Sequence, residues 1–427
     1  MSAERGIDLE SWEFALRRAV LLAGGRQLEQ LLKGIGSGLQ KDGVFCSCGA
    51  RMESRGLREK RIKTLLADIQ FKRSLFVCPK CAKSRFPGDE ALGIVGTGFS
   101  PGVVRLMARA GSRDTFKEGR DDLRAYAEIE VTAKDVERVA ERTGEEIEAW
   151  HSKERAEIMG GELEGEPAER APVMYVCYDG TGVPMVEWET LGRKGKQPDG
   201  GSVTREAKLG CVFTQTALDE NGYAVRDDAS TTFVGAIESS DEFGNRIYAE
   251  AARRGITHAG QVAIICDAAR YNWEIAATHF PGATEIVDLY HTREHLHTLC
   301  SALLSHGGDA FTSLEKRWRA ILDEGKVEKI LKEAQKRLPR SGKRRKTAQA
   351  EMRFFRRNAS RMRYAEYRAQ GLFVGSGVVE AGCKTVIGKR LKQSGMEWTV
   401  RGANAIIALR CCHLSGRMEE FWEQTAA

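Results

Sequence analysis

The chain has 427 residues, 42% of them hydrophobic and 30% charged, and its formal net charge is +6. This is an ordinary soluble globular composition for about three domains, and no apolar run approaches the roughly 18 residues of a membrane helix. The longest apolar run near the start, 19–23, is too short for a signal peptide. We therefore expect a cytoplasmic protein with no membrane partner, whose eleven cysteines are reduced and partly available to metal.

The first predicted elements are a helix and two cysteine pairs. Residues 1–40 predict an N-terminal helical segment, because apolar residues recur at helical spacing before a glycine-rich break at 34–38. Residues 41–95 predict a zinc-ribbon-like segment, in which 62–77 could supply a hairpin. Its four candidate ligands are Cys46, Cys48, Cys78 and Cys81. A closed Cys₄ shell is typical of structural Zn²⁺, and the alternative is four unligated thiols.

A helical region follows the cysteine segment. Residues 96–165 return to helical periodicity, and 121–127 and 132–142 predict two helices joined by a short turn. Thr132 is a suitable N-cap, with Asp135 three residues later in the position of a capping box. The pair could be a DNA-reading helix–turn–helix or a plain helical hairpin, and both stay open. A polar linker, 160–169, ends this region.

After the linker the apolar period changes to that of strands. Five strands are predicted, at 173–178, 208–218, 224–237, 261–266 and 284–289. Helices are predicted after the third and the fourth strands, at 241–254 and 271–280. Three strands, a helix, a strand, a helix and a strand indicate an α/β protein with a mixed sheet. This order matches a ribonuclease-H-like catalytic core over residues 170–300.

Carboxylates stand at the ends of two of these strands. Asp179 and Asp267 each follow a buried apolar run, and the ends of adjacent strands could bring them together. Glu380 opens a helix predicted from 375 to about 392, with Lys384 one turn later on the same face. Hard oxygen ligands suit Mg²⁺ or Mn²⁺, and two such ions serve in-line phosphoryl displacement. Each residue alone could be a turn or surface residue, but the joint pattern favours catalysis.

A second metal motif competes with this interpretation. His291, Glu294 and His295 match His-x-x-Glu-His, a signature of inverted zinc metallopeptidases, with both histidines on one helix face. A five-residue match is weak evidence, since these histidines could instead pack beside the sheet. Peptidase activity is therefore the minor alternative.

The positive charge is concentrated between the second and third carboxylates. Residues 301–372 predict a basic helical insertion, and 316–368 contains nineteen Lys and Arg against six Asp and Glu. Rows of cations neutralise DNA phosphates, although a charge run can also be a solvated helix face. Residues 373–427 contain the predicted catalytic helix and a tail.

The motifs together resemble bacterial insertion-sequence transposases of the ISKra type, members of the acidic-triad (DDE) superfamily. The resemblance extends from about Cys46 to Arg410, and its carriers are 46–48, 76–81, 86–89, 92–93, 178–184, 266–268, 375–380, 384, 388–392, 395–396 and 398. It implies that Asp179, Asp267 and Glu380 are the catalytic triad of a ribonuclease-H-like fold. It also implies that 288–291 is an Asp-x-x-His motif, which places His291 near the active site as a further candidate catalytic residue. The departure from the family pattern is Ala268, where glycine is expected.

The resemblance implies a DNA transposase that cleaves the element's ends with two Mg²⁺ or Mn²⁺ ions and joins the 3′-hydroxyls to target DNA. Its partners would be the terminal inverted repeats and target DNA, bound by a homodimer in the bacterial nucleoid. The predicted phosphate contacts are Lys384, Lys389, Arg390, Lys392, Arg344 and Arg345. The alternatives are a ribonuclease-H-like structure-specific nuclease and a domesticated transposase-derived DNA-binding protein.

Overall fold

The computed structural model describes residues 8–35, 38, 43–161, 171–195, 197–198, 200–304 and 308–426. The chain divides into two compact units, Met1–Glu141 with Gln424–Ala427 and Arg142–Glu423. Residues 36–37 of the predicted break at 34–38 lie outside the described residues, whereas 34–35 still belong to the first helix. Of the predicted linker at 160–169, residues 162–169 lie outside the described residues. Among the helices of the described part, none combines the length and the apolar character needed to span a membrane.

The first unit combines helices with a three-stranded antiparallel sheet in the order β1-β2-β3. Its elements are α1 (Leu9–Ile35), β1 (Glu53–Lys63), β2 (Asp68–Val77), β3 (Ser84–Arg85), α2 (Pro87–Ala91), α3 (Pro101–Arg113), α4 (Phe116–Ala127) and α5 (Ala133–Met159), the last of which continues into the residues of the second unit.

The hairpin expected within 62–77 is present but starts earlier in the chain. β1 and β2 pair antiparallel, with Ile62 opposite Ile69 beside a tight turn. Most of β1 before Ile62 is exposed and charged, so its sequence lacks the apolar alternation that predicts a strand. The strand is recognisable only through its hydrogen bonds to β2.

The two helices predicted within 121–142 are present as α4 and α5. The predicted capping box also forms: the Thr132 hydroxyl accepts from the Asp135 N–H at 3.0 Å, and the Asp135 carboxylate accepts from the Thr132 N–H at 3.0 Å. Val103, Leu123 and Val136 share a core with neighbouring apolar residues of α3 to α5. The arrangement suits a helix–turn–helix as well as a plain hairpin.

The second unit is built on a five-stranded mixed sheet in the order β10-β9-β4-β5-β8. Its strands are β4 (Val173–Pro184), β5 (Thr204–Gln215), β6 (Ala217–Leu218), β7 (Ala224–Val225), β8 (Thr232–Ala236), β9 (Gln261–Cys266) and β10 (Thr284–Val287). β10, β9 and β4 are parallel, whereas β4, β5 and β8 pair antiparallel, and β6 and β7 form a separate small hairpin.

Helices connect and cover this sheet. They are α6 (Ser240–Arg253), α7 (Arg270–His279), α8 (Leu289–Leu303), α9 (Asp309–Asp323), α10 (Val327–Lys336), α11 (Gly342–Asn358), α12 (Tyr364–Ala369), α13 (Gly377–Gly382), α14 (Lys389–Leu391), α15 (Val400–Leu414) and α16 (Met418–Ala426). A π-helical turn, Cys383–Gly388, joins α13 to α14. The α/β class and the mixed sheet expected from the sequence are therefore present.

The predicted third strand, 224–237, is split in the structure. Its first residues form β7, and only Thr232–Ala236 joins the main sheet as β8. Asp227 interrupts the run, because its carboxylate accepts hydrogen bonds from Thr214 and Thr216. A left-handed residue follows at Ala229, with φ of 54°. A polar side chain thus turns the backbone where apolar spacing alone predicts a continuous strand.

The residues predicted as a basic insertion share a core with the sheet. Tyr175 and Cys177 on one face of β4 belong to the same buried cluster as Trp318, Ile330 and Phe355 of α9 to α11. The opposite face, which includes Val176, packs against α6 and α7. Side chains alternate between the two faces of a strand, so Asp179 points to the same face as Tyr175 and Cys177. The basic helices therefore cover the sheet face that carries Asp179.

Candidate active site and metal centre

The four clustered cysteines form a compact thiol centre. Cys46 Sγ lies 3.5 Å from Cys81 Sγ, and Cys48 Sγ lies 3.6 Å from Cys78 Sγ. Among the described residues, this quartet is the one group of three or more His, Cys or carboxylate side chains whose ligand atoms all lie within 4.8 Å. A tetrahedron with Zn–S bonds of about 2.3 Å has edges of about 3.8 Å. The centre could therefore hold a structural zinc ion.

Backbone turns position these thiols and stabilise thiolate. Gly49, with φ of +81°, closes the first turn by donating its N–H to the Cys46 carbonyl. The second turn closes when the Ala82 N–H donates to the Cys78 carbonyl. The N–H of Cys48 and neighbouring thiols lower the pKa of Cys46 to about 6. A thiolate is the form that a metal binds.

The predicted catalytic aspartates lie side by side where the parallel pairing of β4 with β9 ends, although β4 itself continues past Asp179 to Pro184, paired with β5. Tyr178 of β4 is paired with Cys266 of β9, so Asp179 and Asp267 are the next residues on both strands. Cys266 is also paired with Val287 of β10, which puts Asp288 in the same row. Parallel strands lie about 4.8 Å apart, so the sheet brings three aspartates to one edge.

A buried asparagine holds Asp267 in place. The Oδ1 atom of Asp267 accepts from the Ala269 N–H at 3.0 Å and from the Asn272 side-chain amide. Asn272 is fully buried in the first turn of α7. These bonds close the turn after Asp267 with alanine at position 268, where the resemblance to transposases led us to expect glycine. Nothing in the sequence distinguishes Asn272 from an ordinary helix residue.

Glu380 reaches this edge on a helix that packs closely over the sheet. α13, the π-helical turn and α14 run over 377–391, as the sequence predicts for 375 to about 392. Gly382 is essential to the contact, because a Cβ atom there would lie 2.7 Å from Phe233 and 3.2 Å from Leu209. Leu209 is the residue of β5 paired with Asp179. The missing side chain at Gly382 lets the Glu380 helix approach the strand that carries Asp179.

The three carboxylates interact electrostatically. Burial raises the pKa of Asp179, and the negative charges of Asp267 and Glu380 raise it further. Burial also raises the pKa of Cys383 to about 12, with a contribution from Asp179, whose carboxylate hydrogen-bonds this thiol. Among the described residues, the triad carboxylates do not form a compact ligand group of the kind that the four cysteines form. Asp267 and Glu380 each lie within electrostatic range of Asp179, and we call these three residues the carboxylate cluster.

Asp288 links this edge of the sheet to the segment that carries Glu380. It is 2% exposed and caps α8 by accepting from the His291 N–H at 2.6 Å. Its second carboxylate oxygen accepts from the Ser376 N–H, immediately before α13. The Leu289 N–H also donates to the Val374 carbonyl at 2.9 Å. The sequence singles out Asp288 by its Asp-x-x-His spacing, but not this connection.

The two histidines of the His-x-x-Glu-His string lie side by side on α8. Their Nε2 atoms are 3.3 Å apart, and His295 Nδ1 lies 2.6 Å from a carboxylate oxygen of Glu351 in α11. His291 Nδ1 lies 3.8 Å from Glu294. Within the described residues this group does not form a three-ligand cluster, so the geometry does not favour the peptidase alternative.

The three lysines that were predicted to contact DNA are exposed near the triad. Lys384 and Lys389 point into solvent from the Glu380 helix, and Lys384 Nζ lies 3.8 Å from the Glu380 carboxylate. Lys392 is also exposed and donates to the hydroxyl of Thr181, two residues after Asp179. These positions are compatible with phosphate contacts.

The predicted arginines differ in their exposure. Arg390 is 0% exposed, with its guanidinium 5.1 Å from the Trp398 ring centre, so the structure does not support a phosphate contact by this residue. Arg390 lies three residues after Ile387 and four after Val386, on the buried face of the helix, so its charge and not its position suggested exposure. Arg344 is exposed and Arg345 is half-buried, and each donates one hydrogen bond to a backbone carbonyl, of Ala302 and Pro339 respectively.

Comparison with known proteins adds no assignment to this geometry. No protein-family model matches the chain, and none of the curated proteins matches it.

Proposed function

We propose that this protein is a DNA transposase of the acidic-triad superfamily, similar to the ISKra type, with Asp179, Asp267 and Glu380 as its catalytic carboxylates. The observation that carries the proposal is the convergence of these three residues at one edge of the mixed sheet. Asp179 lies in β4, Asp267 directly follows the adjacent parallel strand β9, and Glu380 comes from a helix that packs over β4 and β5.

The strand order supports a ribonuclease-H-like core. Numbered along the chain, the five main strands lie in the order 3-2-1-4-5, the first three antiparallel and the last two parallel to the first. The sequence predicted the succession of three strands, a helix, a strand, a helix and a strand along the chain, and this spatial order adds to that support. In open α/β sheets, functional residues collect beyond the carboxyl ends of parallel strands. Asp267 directly follows β9, and Asp179 lies beside it, where the parallel pairing of β4 with β9 ends.

The carboxylates suit divalent cations by their chemistry. Oxygen ligands are those that Mg²⁺ and Mn²⁺ prefer, and the accumulated negative charge that raises the pKa of Asp179 would be relieved by a cation. Asp179, Asp267 and Glu380 would hold two such ions, which when bound lower the pKa of water and stabilise charge on a phosphate. Because Asn272 and the Ala269 N–H engage one oxygen of Asp267, that residue can present its other oxygen as a ligand.

The remaining parts of the chain provide candidate DNA contacts. Lys384, Lys389 and Lys392 would bind phosphates beside the scissile bond, and Arg344 and Arg345 would add contacts from the basic helices. The thiol centre would hold structural Zn²⁺ and, with the helices of the first unit, recognise the terminal inverted repeats. Pairing of two ends would require a homodimer in the DNA complex.

The proposal is tested with DNA that flanks the coding region, incubated with protein and Mg²⁺ or Mn²⁺. We expect wild type to cleave at the ends and to join them to target DNA. Asp179→Asn and Glu380→Gln should each reduce cleavage at least a thousandfold and leave DNA binding intact. Glu274→Gln is the matched control, because this exposed carboxylate pairs with Arg270 on the surface of α7.

The outcomes separate the alternatives. Equal activity in all variants would disprove the triad assignment. Cleavage without joining would favour a structure-specific nuclease, and binding without cleavage in either metal would favour a domesticated DNA-binding protein.

A further inference from the structure

A hydrogen-bonded chain of three side chains extends from the basic helices to the edge of the sheet. Glu351 of α11 contacts His295 Nδ1 at 2.6 Å, and His295 Nε2 contacts His291 Nε2 at 3.3 Å. Glu351 and His295 are mostly buried, with side chains 14% and 28% exposed. His291 and His295 are one helical turn apart on α8, whereas Glu351 lies on α11. Packing of α8 on α11 therefore creates the chain.

Packing fixes the middle member of this chain. The His295 ring stacks on Phe354 of α11, with ring centres 3.6 Å apart and planes inclined by 17°. Phe354 and Glu351 are one helical turn apart, so one face of α11 supplies both the stacking surface and the carboxylate. His291 is held from its backbone side, because its N–H donates to Asp288.

The chemistry of the chain sets the tautomer of both rings. A carboxylate only accepts hydrogen bonds, so neutral His295 carries its proton on Nδ1 and presents a lone pair at Nε2. His291 must then donate from Nε2, which leaves its Nδ1 as the acceptor nitrogen. The bond from the His291 N–H to Asp288 anchors this residue next to the row that contains Asp179 and Asp267.

We propose that Glu351 and His295 are positioning residues, which fix the orientation and tautomer of His291 beside the carboxylate cluster. This inference rests on the proposed function, because His291 would act next to the triad during DNA cleavage. An acceptor nitrogen at that position can receive a hydrogen bond from water or a 3′-hydroxyl. The basic helices would thereby contribute to the active site as well as to phosphate contacts.

The first test reads the tautomers directly. Long-range ¹H–¹⁵N correlation spectra of histidine-labelled full-length protein at pH 8 report which ring nitrogen carries the proton. In the wild type we expect the ring proton of His295 on Nδ1 and that of His291 on Nε2. In Glu351→Met we expect a mixture of tautomers for His291. An unchanged His291 signal in Glu351→Met would overturn the proposal. Because this readout needs no DNA, it decides the proposal even if the wild type cleaves no substrate, an outcome that would refute the proposed function alone.

The second test measures single-turnover cleavage and DNA affinity. Removing a residue that orients a functional group typically costs about 10- to 100-fold in activity. Glu351→Met and His295→Phe should each lower the cleavage rate by that factor with a Kd for DNA within twofold of wild type. The double variant should be no slower than the slower single variant, since both changes break one chain. Glu351→Gln, which keeps an acceptor oxygen, should recover part of the rate.

A matched pair on the same helix provides the control. His297 Nδ1 lies 3.1 Å from Glu315, whose carboxylate comes from α9 instead of α11. The variants Glu315→Met and His297→Phe should cleave DNA at a rate within twofold of the wild-type rate. Equal losses in the control pair would show a general effect of breaking His–Glu contacts and would overturn the proposal, as would additive losses in the double variant.

Discussion

The link from Asp288 to the Glu380 segment gives the sharpest prediction, for the variant Asp288→Asn. The carboxylate accepts from the N–H groups of His291 and Ser376, and the side chain is 2% exposed. An asparagine side chain has one oxygen and one NH₂ group, so it can accept only one of these bonds. Its NH₂ must then face the other N–H, and two donors cannot pair.

The magnitude follows from these two contacts. Hydrogen bonds to a charged group contribute about 1.5–3 kcal/mol each, and leaving a buried N–H unsatisfied costs about 1–3 kcal/mol. We therefore expect Asp288→Asn to lower the free energy of unfolding by about 3 kcal/mol. Because Ser376 directly precedes α13, releasing it should also displace Glu380, and a shift of about 1 Å can cost about 100-fold in rate.

Urea unfolding followed by tryptophan fluorescence measures the stability, and single-turnover cleavage measures the activity. The matched control is Asp227→Asn, because that carboxylate also accepts several hydrogen bonds but lies at the bend between β7 and β8. The control should lose stability and keep cleavage near the wild-type rate. A wild-type urea midpoint for Asp288→Asn, or equal losses of cleavage in both variants, would refute this reasoning.

Three further predictions concern metal, packing and pH. Wild type should contain one zinc ion per chain by elemental analysis, and Cys78→Ser/Cys81→Ser should contain none; a metal-free wild type would contradict this. Gly382→Ala should destabilise the fold by about 1–3 kcal/mol and slow cleavage, because its Cβ would lie 2.7 Å from a neighbouring ring; unchanged denaturation and rate would argue against close packing. Burial raises the pKa of Asp179, so the folded state binds its proton more tightly, and this residue's contribution to stability falls as pH rises above its ordinary value of 3.8. In EDTA, Asp179→Asn should therefore melt above wild type at pH 7, with the difference shrinking toward pH 3.8. Asp227→Asn should show the opposite sign, because hydrogen bonds overcome burial and lower the pKa of Asp227; equal shifts in both would count against the assignment.

Local sequence patterns predicted much of the second unit. β9 spans the predicted residues 261–266, and α6 and α7 lie within one or two residues of the prediction. These elements have clear apolar periods, which reflect burial on one face or both. The exposed, charged part of β1 was not predicted, because its pairing with β2 depends on hydrogen bonds that leave no periodic trace.

The residues of the candidate site also divide into those that the sequence predicted and those that only the structure reveals. Asp179 and Asp267 are recognisable in the sequence because each follows a buried apolar run, and Glu380 because it opens a helix; that β4 continues past Asp179 to Pro184 was not predicted. Asn272 and Cys383 carry no such signal, since one is an ordinary first-turn residue and the other an ordinary buried thiol. Arg390 was predicted to contact DNA phosphates, but it lies on the same helix face as Val386 and Ile387 and is buried.

The sequence by itself determined the types of chemistry: soft thiolates in one segment, hard carboxylates in another and a concentration of cations between two of them. Those features are local, because ligand type and charge belong to residues. Only the tertiary structure decided which groups meet. Strand register aligns Asp179, Asp267 and Asp288, the absence of a side chain at Gly382 admits the Glu380 helix, and packing of two helices joins His295 to Glu351. These contacts are made between residues distant in the chain, so their geometry is set by the packed core and not by the spacing of the motifs.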